Sequence, residues 1–333
     1  MVTSIAGFAI CSLLVIVSGT RLSYHGNRIA ELTGMSKAWV GLIMMASITS
    51  LPELITGISS VAIIKAPDLA AGDVFGSCVF NLLILSVLDT RIRKPLTSLV
   101  KRSHVVAGFF SLILMAVAGL AILTADKFPV MLWVSGFTPV ILLVYMMAMW
   151  GIFKFDKSGT MPPVLERTPP YAYKPTTLRL SVITYGFNAL IVVVSALFLP
   201  YFGEQIAFHY GLSNTFFGTL FLAATTSMPE LVVSFASIRL HAYDMLVGNL
   251  FGSNIFNMLI LGIDDLFYTE GSLYAAISPA HLVSVTVTIV MTAVAGLGIM
   301  MRPQRKIWLF SLDTFIIFLI YVLLMIYLFF YNR

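Results

Sequence analysis

The chain has 333 residues, of which 59% are hydrophobic and only 11% charged, with a formal net charge of +5 and a mean hydropathy of +0.96. That composition excludes a soluble globular protein and places the chain among polytopic membrane proteins. The basic balance does not signal nucleic acid, because the charges are scattered through loops rather than gathered on one stripe, and no nucleic-acid partner is expected.

Runs of about 20 apolar residues, the length that crosses a bilayer, predict spans at 3–20, 38–64, 70–88, 104–124, 129–153, 178–201, 215–238, 246–263, 278–301 and 307–331. The first and sixth are expected to run past their apolar cores, because residues 28–31 and 205–209 precede matching turns, GMSK and GLSN. The first run has no basic segment before it and no clear cleavage site, so it reads as a retained helix. Cys11 and Cys78 both fall in predicted spans, and no disulfide is expected. The fold class is therefore an all-α polytopic membrane protein.

Within this chain one stretch is written twice. Residues 41–81, GLIMMASITSLPEL…GDVFGSCVFN, recur as 218–257, GTLFLAATTSMPEL…GNLFGSNIFN. Up to Glu53/Glu230 the copies align at an offset of 177, and from Gly72/Gly248 to Asn81/Asn257 at 176. The division that follows is a first five-helix repeat at 1–154, a linker at 155–177 and a second five-helix repeat at 178–333. With an odd number of spans per half, the second enters the membrane from the opposite side, so the repeats are inverted. The linker carries five prolines and mixed charge, which breaks helix and opposes a packed core.

Loop charge gives the orientation. The loops after the first, third, fifth, seventh and ninth spans carry seventeen of the 20 Lys and Arg residues; Lys65, Lys127 and Arg333 lie on the other face. Basic loops stay cytoplasmic, so the linker is expected inside, both termini outside, and the chain in the cell membrane. The cluster Arg91, Arg93, Lys94, Lys101 and Arg102 is read as part of this bias, with acidic lipid as a second possible partner.

The duplicated stretch places Glu53 and Glu230 midway along apolar spans, where an ionisable residue is costly and marks function. Pro52 and Pro229 each remove a backbone donor, which is expected to open the helix and free carbonyls near Ile48 and Thr49, and near Thr225 and Thr226. Thr49 and Ser50 share a helix face with Glu53 by i,i+4 and i,i+3 spacing, as Thr226 and Ser227 do with Glu230. Ser77 with Asn81, and Ser253 with Asn257, repeat the i,i+4 spacing on the following spans. Oxygen-only donors of this kind suit calcium, magnesium, manganese or alkali cations and disfavour zinc or copper. The glycines Gly72, Gly76, Gly248 and Gly252 give faces on which helices approach closely.

TSxPEL followed by GxxxGSxxFN, twice, closely resembles the two α-repeats of the sodium/calcium exchanger family, within the calcium/cation antiporter superfamily. The resemblance implies a ten-helix inverted-repeat fold, exchange of sodium for calcium by alternating access, and sliding of the first and sixth spans across the others. It implies ion ligands at Thr49, Ser50, Glu53, Ser77, Asn81, Thr226, Ser227, Glu230, Ser253 and Asn257, with the backbone carbonyls of Ala46 and Ala223. Some relatives carry aspartate at the position of Asn257, which argues against potassium co-transport here. The transported ions are then Ca2+ and Na+, with no cofactor and no enzymatic activity, and a monomer suffices. Proton-coupled exchange and, further off, a cation channel are the alternatives. An intramembrane enzyme is disfavoured, because no HExxH motif, nucleophile elbow or histidine–carboxylate pairing appears in a span.

Other polar residues are given plainer roles. Asp73, facing Asn249 in the alignment, is either an accessory ligand or a helix-end cap. Asp89, Asp264, Asp265 and Glu270 are expected to be solvated at the outer face. The five histidines fall near span ends and are expected at the interface. Cys78 is expected to be a small packing residue.

Overall fold

A computed structural model describes residues 2–157, 176–209 and 223–331. Helix α1 (Val2–Thr33) is followed by α2 (Lys37–Ile64), α3 (Pro67–Asp89), α4 (Ser103–Thr124) and α5 (Phe137–Lys157). The second half gives α6 (Leu178–His209), α7 (Met228–Arg239), α8 (Tyr243–Phe267), α9 (His281–Met301) and α10 (Leu312–Tyr331). Among the described residues eight helices are long and apolar enough to cross a membrane, and Leu312–Leu328 is a shorter apolar one. The protein is thus an all-helical polytopic membrane protein. Most of the linker and the segment 210–222, which includes the second turn and the start of the seventh expected span, lie outside the described residues.

Helices α1 and α6 each run for 32 residues, beyond their apolar cores as the sequence suggests. Two expected spans start later than hydropathy alone indicates. Residues 130–135 form a tight antiparallel turn pairing Val130 with Ser135, so α5 begins at Phe137 rather than near 129. Ile307 pairs with Phe310 in the same way, so α10 begins at Leu312 rather than 307. Both turns hold a residue at positive φ, Leu132 and Trp308, at the repeat offset of 176. Hydropathy cannot see them because the residues that reverse the chain are themselves apolar.

The carboxylates expected in solvent explain how these turns are held. Asp89 and Asp265, also 176 apart, are both fully buried. Asp89 accepts from the Leu96 and Ser311 amides at 2.7 and 2.8 Å and from the Thr314 hydroxyl at 2.8 Å. Asp265 accepts from the Leu273 and Ser135 amides, each at 2.8 Å, and from the Thr138 hydroxyl at 2.5 Å. These three hydrogen-bond partners of one are the repeat counterparts of those of the other. Asp89 also pairs with Lys306 at 3.1 Å. These two aspartates are end-of-helix anchors, and the expectation that they are solvated is wrong for both. It is wrong for Asp264 as well, which is fully buried; Glu270 alone is open, 3.8 Å from Lys65 with its side chain 53% exposed.

The histidines divide similarly. His104 is buried and lies 3.0 Å from Asp244, while His281 lies 3.3 Å from Asp68, the counterpart pair. His104 is thus a packed interior group rather than an interfacial one. Arg302 and Lys65, like Leu132 and Trp308, hold left-handed backbone, closing α9 and α2 without glycine.

Packing separates two bodies. One large apolar core joins residues of α2–α5 and α7–α10, including Phe75, Leu85, Leu114, Phe251 and Met258, and takes no residue from α1 or α6. Those two helices pack along each other through Cys11, Val15, Ala196 and Leu199. They meet the rest where Met228 and Val232 of α7 pack on that seam, and through a second small cluster that gathers Leu22 and Ile29 with Met45, Val233 and Met245. The outer faces of α1 and α6 display Ile10, Leu13, Phe187 and Leu190, the apolar exposure that lipid requires.

Candidate cation-binding site

The site forms where the two copies of the duplicated stretch cross. Within α2 the helix passes through a π segment, Val40–Met45, and is then interrupted at Ser50, whose backbone (φ −92°, ψ 6°) leaves the helical range. Ser227 adopts the same backbone (φ −81°, ψ 8°) before α7. The interruption falls two residues before each proline, because the ring of Pro52 or Pro229 cannot continue the turn below it. π segments of this kind recur at functional sites. The Ala46 and Ala223 carbonyls are not released: they accept from the Ser50 and Ser227 amides at 3.0 and 3.1 Å and from the Thr49 and Thr226 hydroxyls at 3.4 and 3.2 Å. Each carbonyl therefore already takes two donors before any ion is considered.

The break aims Thr49, Ser50 and Glu53 across the midline at the other repeat. The Ser50 hydroxyl donates to Glu230 Oε1 at 3.1 Å, and Ser227 to Glu53 Oε1 at 3.4 Å. From the following helices Ser77 reaches Glu53 Oε1 at 3.3 Å, and Ser253 reaches Glu230 Oε1 at 3.2 Å. Thr49 and Ser253 stand 3.5 Å apart, as do Thr226 and Ser77. This reciprocity, in which each contact of one copy has its exchanged partner, is what a local two-fold axis imposes. Glycine makes the approach possible on one side: a Cβ at Gly248 would lie 2.6 Å from the Ala38 carbonyl, and one at Gly252 would lie 2.8 Å from the Ala46 Cβ.

All ten side chains singled out from the sequence are buried, each 1% exposed or less. They do not all touch. Asn81 and Asn257 make no hydrogen bond to either glutamate; Asn81 donates to Asn254 Oδ1 at 3.0 Å and Asn257 points its amide nitrogen at Cys78 Sγ at 3.6 Å. Glu53 Oε2, Glu230 Oε2, Asn81 Oδ1 and Asn257 Oδ1 are buried and accept no hydrogen bond. All four are acceptors and come in two repeat-related pairs. Among the described residues no Lys, Arg or His forms an ion pair with either glutamate.

Three residues join the site beyond those ten. Asp73 lies in the interior of α3, not at its end, and accepts from the Thr226 hydroxyl at 3.0 Å while its second oxygen is buried without a partner. A helix-end cap is thereby ruled out. Its counterpart Asn249 faces Thr49 at 3.4 Å and donates to Ser234 at 3.3 Å. Asn254 bridges the copies, donating to the Cys78 carbonyl at 3.3 Å; it sits beside Ser253 in the motif but aligns with a cysteine, so the repeat gave no signal for it. Cys78 is a fully buried packing residue and, like Cys11, a free thiol.

Buried acceptors without donors cost several kcal/mol each in a low-dielectric interior. Two carboxylates about 4 Å apart at an effective dielectric near 20 would repel by roughly 4 kcal/mol. A hard cation relieves both terms at once, since it is drawn to the carboxylates and to the neutral oxygens alike. Among the described residues no three His, Cys, Asp or Glu side chains gather as a metal centre. The donors are instead carboxylate, hydroxyl and amide oxygens, the set that suits a hard cation.

The family profile described as "Sodium/calcium exchanger protein" matches residues 3–151 and 180–330. The chain is 28% identical over 258 residues to "Putative antiporter CaxA" of Alkalimonas amylolytica, covering 76% of this chain and 77% of that one. It is 25% identical over 316 residues to "Inner membrane protein YrbG" of Escherichia coli (strain K12), covering 89% and 93%. Among solved structures, the sodium-calcium exchanger NCX_Mj superimposes with a TM-score of 0.73 at 22% identity, covering 97% of each chain. At that identity the likeness speaks for the fold.

Proposed function

The chain belongs to the sodium/calcium exchanger protein family, and from that premise we propose that it is a secondary antiporter exchanging calcium for sodium by alternating access. One observation carries the reading: two buried glutamates without a basic partner among the described residues, with Asn81 and Asn257, leave four oxygens that meet no hydrogen-bond donor there. Two carboxylates balance one divalent ion, and the same oxygens balance monovalent ions singly. Thr49, Ser50, Ser77, Thr226, Ser227 and Ser253 hold the glutamates and supply further oxygen donors. The Ala46 and Ala223 carbonyls take part with lone-pair density they already share with helix donors. A reaction centre is not needed for this work, and neither is a cofactor.

Alternating access in this fold assigns motion to α1 and α6, the pair that contributes nothing to the main core. The repeats at 1–154 and 178–333 then form the two halves of the machine, joined by a linker at 155–177 that is cytoplasmic, with both termini on the opposite face of the cell membrane. Lipid and the transported ions are its only required partners, and one copy suffices. An impermeant thiol reagent should reach Ser158→Cys only from the cytoplasmic side; labelling from outside intact cells would reverse the orientation.

Coupling is tested directly in proteoliposomes. Vesicles loaded with sodium should take up calcium at fixed membrane potential, and vesicles loaded with potassium or with protons alone should not. Uptake driven equally well by protons would replace sodium with protons as the counter-ion, the alternative that the additional carboxylate of Asp73 favours. Uptake with no counter-ion at all would indicate a channel.

A further inference from the structure

The repeat symmetry pairs the structural acids and leaves buried, unpartnered ones outside it, Asp264 and Asp313. Asp89 matches Asp265, and Asp68 matches Asp244, each with matched hydrogen bonds. Asp264 stands outside this scheme, for its counterpart is Leu88. It is fully buried, and neither of its oxygens has a hydrogen-bond partner. Helical spacing places it seven residues beyond Asn257 on α8, on the same stripe. The carboxylate faces Gly57, one turn beyond Glu53 on α2: a Cβ at Gly57 would meet its oxygens at 2.5 and 2.8 Å. Asp264 therefore occupies space that only a glycine leaves, at the end of the molecule where Lys65 meets Thr269 and Glu270.

Two further groups on this side share its condition. Asp73 is the electrostatic neighbour of Asp264, and its Oδ2 is buried without a partner. Ser60, three residues past Gly57 on the same helical stripe, has a buried hydroxyl without a partner. The counterparts on the opposite side are neutral and satisfied: Asn249 donates to Ser234, and Ser237 donates to the Val233 carbonyl. The two-fold relation holds for the framework, while on this side charge departs from it at both Asp73 and Asp264, as it does at Asp313 near the start of α10. An unpaired carboxylate buried at membrane depth is costly without a partner, and nothing in the framework requires this one.

We propose that Asp264, with Asp73 and Ser60, forms a second cation station on the Lys65–Glu270 side of the central site, which takes a monovalent alkali cation. One carboxylate that faces no other donor balances one such ion, and carboxylate and hydroxyl oxygens are its natural ligands. By the loop-charge orientation this is the outer side, where exchange of ions with the medium would pass. The station deepens the exchanger reading but can be tested apart from it.

The experiment is sodium-dependent thermal stabilisation of the full chain, with N-methylglucamine as the control cation. In a Glu53→Gln/Glu230→Gln background the central site is disabled, yet sodium should still raise the melting temperature. Adding Asp264→Asn should remove that shift. No sodium effect in the double variant, or an effect that survives Asp264→Asn, overturns the proposal. In the otherwise unaltered chain, Asp264→Asn should raise the half-saturating sodium concentration for calcium efflux about tenfold, the loss of about one such contact. An unchanged sodium curve would mean that Asp264 is merely a neutral packing group. Should Asp264→Asn fold poorly, Asp264→Leu, the residue the other repeat uses, carries the same predictions. If the unaltered chain exchanges no calcium for sodium, the functional reading fails while the melting series still decides the station.

Discussion

Glu53→Gln and Glu230→Gln should each nearly abolish calcium transport while leaving the fold intact. Both replacements keep the side-chain shape and the acceptor that receives Ser77 and Ser227, or Ser253 and Ser50. Each removes one of the two charges that the proposed mechanism sets against a divalent ion. In a partly desolvated site the attraction lost is several kcal/mol, and 1.4 kcal/mol is already tenfold in an equilibrium constant. The stability consequence has the opposite sign. Without calcium the native pair is two buried carboxylates with no basic partner among the described residues, so neutralising one lowers the cost of burial rather than raising it. The melting temperature in calcium-free buffer should hold or rise, and its increase on adding calcium should disappear. Calcium flux in reconstituted vesicles, read beside melting with and without calcium, separates loss of an ion ligand from misfolding. Near wild-type flux in either variant would show that the glutamates are not the charge-balancing ligands.

The site was legible in the sequence because its signal is local and doubled. Glu53 sits beside Pro52 and four residues from Thr49, and the same pattern at Glu230 makes coincidence untenable. What the sequence could not convey was long-range. Ser50 acts on Glu230 and Ser227 on Glu53, across about half the chain, and only the crossing of the copies shows that the hydroxyls serve the opposite glutamate. Asp89 and Asp265 look like solvated loop acids because their partners, Ser311 and Ser135, lie far away in sequence. The starts of α5 and α10 are misjudged for a related reason, since Leu132 and Trp308 reverse the chain while reading as membrane apolar residues. Asp264 becomes conspicuous only after its neighbour Asp265 is matched to Asp89, which leaves Leu88 as its counterpart. Alignment stopped at Asn257 cannot reach it.

A disulfide between Gly19→Cys and Val232→Cys should arrest transport, and reduction should restore it. Gly19 lies on α1 and Val232 on α7, so the bond would tie the proposed moving pair to the fixed body. A Cβ built on Gly19 stands 3.5 Å from the Val232 Cβ, at the short end of the range of about 3.5–4.5 Å that a disulfide spans. Replacing valine removes the Cγ1 methyl that would otherwise crowd that position at 2.9 Å. The contact belongs to an interface that is mainly apolar, and among the described residues the Ser23 hydroxyl crosses it to the Val233 carbonyl at 2.9 Å. Apolar helix faces can slide past one another in small steps, as packed helices do when they shear. A covalent tie removes that freedom without touching Glu53, Glu230 or any other proposed ligand. Calcium should therefore still raise the melting temperature of the oxidised protein while flux falls to background. The single-cysteine variants control for the substitutions, and the native thiols Cys11 and Cys78 are buried away from the reagent. Full flux with the bond quantitatively formed would mean that α1 does not move against α7 during exchange, and the moving element would have to be sought elsewhere in the bundle.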